Sequence, residues 1–311
     1  MEKSLEMPSK KTTTTRKKKK NPQGFQKAAR IWPGVIDRSD YDFTFDYFKG
    51  QEYNWWSISH HWYMNNNRPY NKKKKSEVRI LEVGAFEGSS TVWFIEELVA
   101  KYGCELHCVD RWLEINPDED AVPGNTKGGG ASHVASMVSA EQRFDSNVKI
   151  ALDKFVDKKD HNKVVVWKGD STRHLYEIEK QYGPDSFDII YIDGSHEQNQ
   201  VLIDGLLAYK LLSPGGFIVF DDYQMDQFPL GSVKLAVDTW YGLNRAMVKP
   251  LYKFSSKDPS HFLYDGAPQE PHQTRNDTHY LDSSQAWFRK LTHKPSLSRK
   301  FIPGYVDEKD L

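Results

Sequence analysis

The chain has 311 residues, 38% of them hydrophobic and 13% aromatic, which suffices for one large domain with extensions. Its 43 Lys+Arg balance 43 Asp+Glu, but residues 1–20 hold eight basic residues against Glu2 and Glu6, a net of +6 that leaves −6 for the rest and argues against nucleic acid as a partner of the folded domain. No apolar run approaches the ~18 residues of a membrane span, and the N-terminus lacks an apolar signal core, so neither a span nor secretion is expected.

Residues 1–25 read as a disordered Lys/Thr tail. Arg16–Lys20 would act as a nuclear signal or a tether to nucleic acid or membrane, or simply as a solvated run, so the setting is cytoplasmic or, through this tail, nuclear. Residues 26–76 read as a helical extension rich in aromatic residues, among them Tyr41, Phe43, Phe48, Trp55, Trp56 and Trp62. Such a cluster is core, a homodimer contact or a platform for a sugar or a planar acceptor. His60 and His61 are adjacent and diverge on a helix, which disfavours a shared metal.

The chain is organised around residues 79–91. Ile80, Leu81 and Val83 form a buried strand, Gly84 and Gly88 bracket a turn, Ser89 or Ser90 caps the next helix, and Ile95, Leu98, Val99 and Tyr102 give that helix one apolar face before Gly103 ends it. The spacing Gly84-x-x-x-Gly88 lacks the middle glycine of a dinucleotide fingerprint and is not followed by the Lys-Ser/Thr of a phosphate loop. Glu105–Asp110 is the second strand, with Cys104 and Cys108 on one face and too far apart to bridge. It ends in Asp110, 26 residues after Gly84, where an acid can accept from two ribose hydroxyls; Arg111 and Trp112 follow. Residues 113–139 are long, polar and glycine-rich and read as a lid.

A helix over 140–156 leads to a third strand, Val164–Lys168, which ends at Asp170 and Ser171 before a helix with Leu175, Ile178 and Tyr182 on one side. The fourth strand, Phe187–Ile192, runs into Asp193-Gly194-Ser195-His196. A helix with Val201, Leu202, Gly205, Leu206 and Tyr209 on one face follows. After the turn at 213–216 the fifth strand, Phe217–Phe220, ends in Asp221-Asp222-Tyr223. Three acids on one edge, Asp193, Asp221 and Asp222, repel one another, and oxygen-only ligation of Mg²⁺, or of Mn²⁺ or Ca²⁺, would resolve this. His196 is suited to taking a proton near neutral pH, to capping the next helix or to orienting a substrate. A helix over 231–240 and two strands, Val248–Phe254 and His261–Tyr264, complete the sheet, and 266–311 read as a C-terminal extension.

Together, Glu82/Gly84/Gly88, Asp110, Asp170, Asp193 and Asp221-Asp222, each at a predicted strand end, resemble the class I S-adenosylmethionine (SAM) dependent methyltransferases over residues 77–265. The Asp193 and Asp221-Asp222 triad resembles that of O-methyltransferases of the catechol and macrocin types. The resemblance implies a Rossmann-like α/β sandwich with a mostly parallel seven-stranded sheet. It implies that Glu82, Gly84, Ala85, Phe86, Gly88, Ser89 and Ser90 pack on the methionine end of the cofactor. Asp110, Arg111 and Trp112 would border its ribose and adenosine, and Asp170 and Ser171 its adenine. Asp193 would touch cofactor and metal and share the catalytic work with His196. Catechol-type enzymes place a lysine base at the His196 offset, and many sugar-type relatives place an acid where this chain has Ser195. The implied reaction is O-methylation of a small molecule or a sugar, as in glycan modification, with a divalent metal. A nucleic-acid or protein methyltransferase tethered by the tail, and a non-catalytic scaffold of the same fold, are the rival readings.

Overall fold

The computed structural model describes residues 37–44, 46, 48, 51, 52, 55, 59, 74–112, 139–223, 233–253 and 285–292. Residues 113–138 of the lid expected at 113–139, the basic tail, His60-His61 and the strand expected at 261–264 lie outside them.

The strands are β1 (Arg79–Val83), β2 (Glu105–Asp110), β3 (Val164–Lys168), β4 (Phe187–Ile192), β5 (Leu212–Phe220), β6 (Val248–Lys253) and β7 (Ala286–Lys290). They lie in the order β3-β2-β1-β4-β5-β7-β6, a mostly parallel seven-stranded sheet in which β7 runs antiparallel to β5 and β6. Strand order reverses between β1 and β4, and in an open α/β sheet the crevice beyond that switch point is where ligands bind. Helix α1 is Ser89–Phe94, a π turn at Ile95–Val99, and Ala100–Tyr102; α2 is Ala140–Phe155, α3 Ser171–Tyr182, α4 Gln198–Leu211 and α5 Val233–Asn244.

The alternation of strand side chains decides the two faces. Ile80, Leu106, Cys108, Ile189, Tyr191, Phe217 and Val219 point into one core, shared with α1, α2 and the N-terminal segment. Leu81, Val109, Ile190, Ile192, Ile218 and Phe220 point into the other, under α3, α4 and α5. The same parity carries Glu82, Asp110, Asp193 and Asp221 to the first face. The described members of the aromatic cluster belong to that face too. Tyr41, Phe48 and Trp55 are buried, and Trp55 lies against Phe94, Tyr191 and Trp287 with ring centroids 5.0, 4.9 and 4.6 Å away. These three rings are core, not a ligand platform.

Three local expectations change. The strand that closes the sheet comes from Ala286–Lys290, inside the segment read as a C-terminal extension. On α4 the inward set is Val201, Asp204, Gly205, Ala208 and Leu211, while Leu206 is exposed, because the helix is apolar nearly all round and its periodicity does not fix a face. Neither Ser89 nor Ser90 caps α1. Gly88, at φ 85°, holds the cap position, and both hydroxyls turn to carboxylates.

Candidate active site

The turn after β1 is built to let β4 come close. A Cβ on Gly84 would stand 2.2 Å from the Asp193 carbonyl oxygen, and its φ is +90°, so glycine is required there on two counts. Asp110 locks the same turn from the other side. Its Oδ2 accepts from the amides of Ala85 and Phe86, both at 2.8 Å, and its Oδ1 accepts from the Trp112 amide at 2.8 Å. The Trp112 indole N–H donates to the Phe86 carbonyl at 2.7 Å, and its ring packs on Phe144. Asp110 is therefore a turn latch first, with one lone-pair site still open on Oδ1.

The residues expected at the methionine end divide. Gly84 and Phe86 stay partly accessible, while Glu82, Ala85, Gly88, Ser89 and Ser90 are buried. Glu82 accepts from Ser90 Oγ, from Thr91 Oγ1 at 2.6 Å and from Cys108 Sγ at 3.4 Å. Burial dominates these hydrogen bonds and pushes its carboxyl up to about 7. Ser89 Oγ donates to Asp46, and Arg38 Nη1 donates to the Ser89 carbonyl at 2.9 Å, which fastens the N-terminal segment to α1. Glu87, which sequence reasoning passed over, is a second fastening point. It takes Arg143 Nε at 2.6 Å and the Thr44 amide at 2.7 Å.

At the end of β3, Asp170 caps α3 by accepting from the Arg173 amide at 3.1 Å and is exposed. Ser171 turns away from the edge and donates to Asp204 at 2.8 Å. Gly169 N donates to the Asp110 carbonyl at 2.8 Å, so Asp170 and Asp110 stand beside one another, with Arg111 exposed next to them.

Parallel pairing sets Ile192 against Phe220 and brings the ends of β4 and β5 together. Tyr191 Oη lies 3.0 Å from Asp193 Oδ2 and within hydrogen-bond distance of Asp221 Oδ2, so its single O–H is shared between the two carboxyls. His196 Nε2 lies 2.8 Å from Asp222 Oδ2, and Asp222 sits at φ 53°. His196 thus pairs with one of the three acids. Burial, then repulsion from Asp221 and Asp222, holds Asp193 well above the usual carboxylate range. Burial, then Asp222, pushes Asp221 up to about 6. Burial pulls the His196 imidazole down, but the hydrogen bond and charge of Asp222, helped by Asp221, outweigh it and the net shift is upward.

Sequence reasoning found the three acids and His196 but missed Tyr191, Gln51 and Gln285. Gln51 Nε2 and Gln285 Nε2 reach Asp221 Oδ2 at 3.3 and 3.4 Å. Tyr191 was legible in principle, since a residue two before Asp193 on a strand must share its face. The glutamines carry no local signal.

Asp193, Asp221 and Asp222 are brought to one edge but not as a ligand set for Mg²⁺, Mn²⁺ or Ca²⁺. Their oxygen chemistry suits a hard cation. Their positions do not: Asp221 Oδ2 is taken up by protein donors and Asp222 faces His196. Among the described residues no three His, Cys, Asp or Glu side chains converge to hold a metal ion. The open edge does fit an elongated polar cofactor, with Gly84, Phe86, Asp110, Asp170 and Asp193 all accessible in a row across β4, β1, β2 and β3.

Residues 81–223 match the model of a family described as a methyltransferase domain. An uncharacterised protein of Acanthamoeba polyphaga mimivirus is 26% identical over 156 residues, 50% of this chain and 55% of its own length, so the chain spans about half of that curated relative. Among solved structures, an O-methyltransferase from Bacillus cereus in complex with SAH is 16% identical, with 85% of this chain and 86% of that one covered and a TM-score of 0.44. An O-methyltransferase from Streptomyces achromogenes involved in tomaymycin synthesis, in complex with SAM, is 15% identical, with 70% and 74% covered and a TM-score of 0.44. No helix among the described residues is long and apolar enough to cross a membrane.

Proposed function

From the match of residues 81–223 to a methyltransferase domain, we propose that the protein moves a methyl group from SAM to the hydroxyl oxygen of a small-molecule acceptor. The observation that carries the oxygen assignment is the 2.8 Å His196–Asp222 pair at the joined ends of β4 and β5, next to Asp193. Asp222 accepts from Nε2–H, which leaves Nδ1 as the basic nitrogen of a neutral imidazole.

SAM would lie along the open edge, its ribose on the remaining Oδ1 site of Asp110, its adenine beside Asp170 and Arg111, and its methionine end over Gly84 and Phe86. SAM supplies a methyl group on a sulfonium. In an in-line displacement the acceptor oxygen forms the new O–C bond, and the C–S bond breaks with its electron pair going to sulfur. The acceptor proton passes to His196, and Asp222 stabilises the imidazolium. Alignment of the two reactants supplies much of the rate in such a transfer. Asp193, half-buried at the same edge, orients the acceptor hydroxyl. No step in this reading passes through a metal ion.

The acceptor class supported is a hydroxylated small molecule, with sugars one branch of it. The aromatic cluster does not single out sugars, because its members Tyr41, Phe48 and Trp55 are core. The test is a panel of sugars, phenols and aliphatic alcohols with radiolabelled SAM, comparing the wild type with His196→Asn. Labelled product from the wild type, reduced about a hundredfold or more in the variant with SAH affinity kept, is the expected result. Undiminished transfer by the variant would remove His196 as the base.

A further inference from the structure

Asp221 is the most fully hydrogen-bonded group on the acid edge. A carboxylate offers about four lone-pair sites. Oδ1 accepts from the Asp222 amide at 2.9 Å, and Oδ2 accepts from Tyr191 Oη, from Gln51 Nε2 at 3.3 Å and from Gln285 Nε2 at 3.4 Å. Three of the four donors crowd Oδ2, while Oδ1 keeps one open site. Only the Tyr191 and Asp222 donors come from within residues 81–223.

The two amides are not free to turn over. Their orientation starts at Trp287, whose indole N–H can only donate. Trp287 is fully buried, stacked on Phe217 at 5.5 Å and packed on Trp55 at 4.6 Å, so the donor is fixed in place. It donates to Gln285 Oε1 at 3.2 Å, which obliges Gln285 to present Nε2. That nitrogen donates to Gln51 Oε1 and to Asp221. Gln51, with its oxygen engaged, must in turn present Nε2 to Asp221. One indole N–H at the end of the relay thus aims both amide nitrogens at the carboxylate.

We propose that Gln51 and Gln285, oriented by Trp287, are positioning residues that occupy Asp221 Oδ2 with protein N–H donors, so that the acid edge works without a divalent cation. A cation at this edge would have to strip the relay from Oδ2 and His196 from Asp222, and the buried Gln285 and Tyr191 donors would lose a partner. The inference rests on the methyltransferase reading only in locating the site. It reverses the expectation that three strand-end acids make a metal centre.

The test is calorimetric titration of Mn²⁺ into the full chain saturated with SAH, for the wild type, the double variant Gln51→Ala/Gln285→Ala, and Trp287→Phe. The last keeps a stacking ring while losing the N–H together with some ring volume, which guards against a double variant that fails to fold. The wild type should show no saturable Mn²⁺ binding. Both variants should gain a single Mn²⁺ site, at least about tenfold tighter than any wild-type binding. Adding Asp221→Asn should remove it again. A stoichiometric Mn²⁺ site in the wild type that Asp221→Asn abolishes would overturn the proposal. So would folded variants that gain no site, since the relay would then not be what keeps the cation out. SAH binding in the same cell reports on the methyltransferase reading separately, so the two cannot fail indistinguishably.

Discussion

Asp222 holds His196 at 2.8 Å and keeps its imidazole more basic than it would otherwise be, and the pH profile of the reaction should record this. A general base works in its neutral form, so the rate rises as pH passes its pKa. Asp222→Asn removes the charge that raises the pKa. The acid limb of kcat/KM should therefore move to lower pH while kcat itself falls; an unmoved limb would show that another group is the base. Glu82 makes the converse case, a titration felt by stability. Its carboxyl sits at about 7 in the fold against 4.5 when free, so between those values the folded protein binds more protons than the unfolded chain. Its contribution is full below pH 4.5 and is lost as pH rises through 7. Glu82→Gln should remove that dependence, gaining on the wild type by on the order of 3 kcal/mol across the window in denaturant unfolding. At Gly84 no side chain fits: Gly84→Ala drives a methyl carbon into the Asp193 backbone at a positive φ and should abolish SAH binding. Gly242→Ala, with nothing within 4 Å in α5, should instead stabilise by about 0.5–1 kcal/mol.

At the scale of elements, the sheet is completed by segments from both sides of residues 81–223. The N-terminal segment lays Trp55 against Phe94, Tyr191 and Trp287, and β7 pairs between β5 and β6. Trp55→Ala should cost about 3–5 kcal/mol in chemical unfolding although it lies outside the family match. β1 to β5 and their helices were legible in the sequence because strand, turn and helix signals alternate there and each strand ends in a small or acidic residue. β7 was not. Ala286-Trp287-Phe288 is a short apolar run followed by Arg289-Lys290, and nothing local says that it pairs with β5 rather than following His261–Tyr264. The face of α4 was misjudged for a related reason: where a helix is apolar nearly all round, packing and not periodicity selects the buried side.

Across the whole molecule, the parity of the strands explains why the site sits where it does. Glu82, Asp110, Asp193, Asp221 and Trp287 all point to the face that carries α1, α2 and the N-terminal segment, so the segments that complete the core also finish the acid edge. The strand-end acids could be read from spacing alone, because each closes a parallel strand on one edge. Their partners could not, since Gln51 and Gln285 are brought together by tertiary pairing across 234 residues. The most direct test of the account is calorimetric binding of SAH to the full chain, with NAD as the control ligand. The account predicts one site of micromolar affinity or tighter, unchanged by chelator, and no response to NAD. An absence of SAH binding in the folded protein would contradict it and leave a methyltransferase fold without its chemistry.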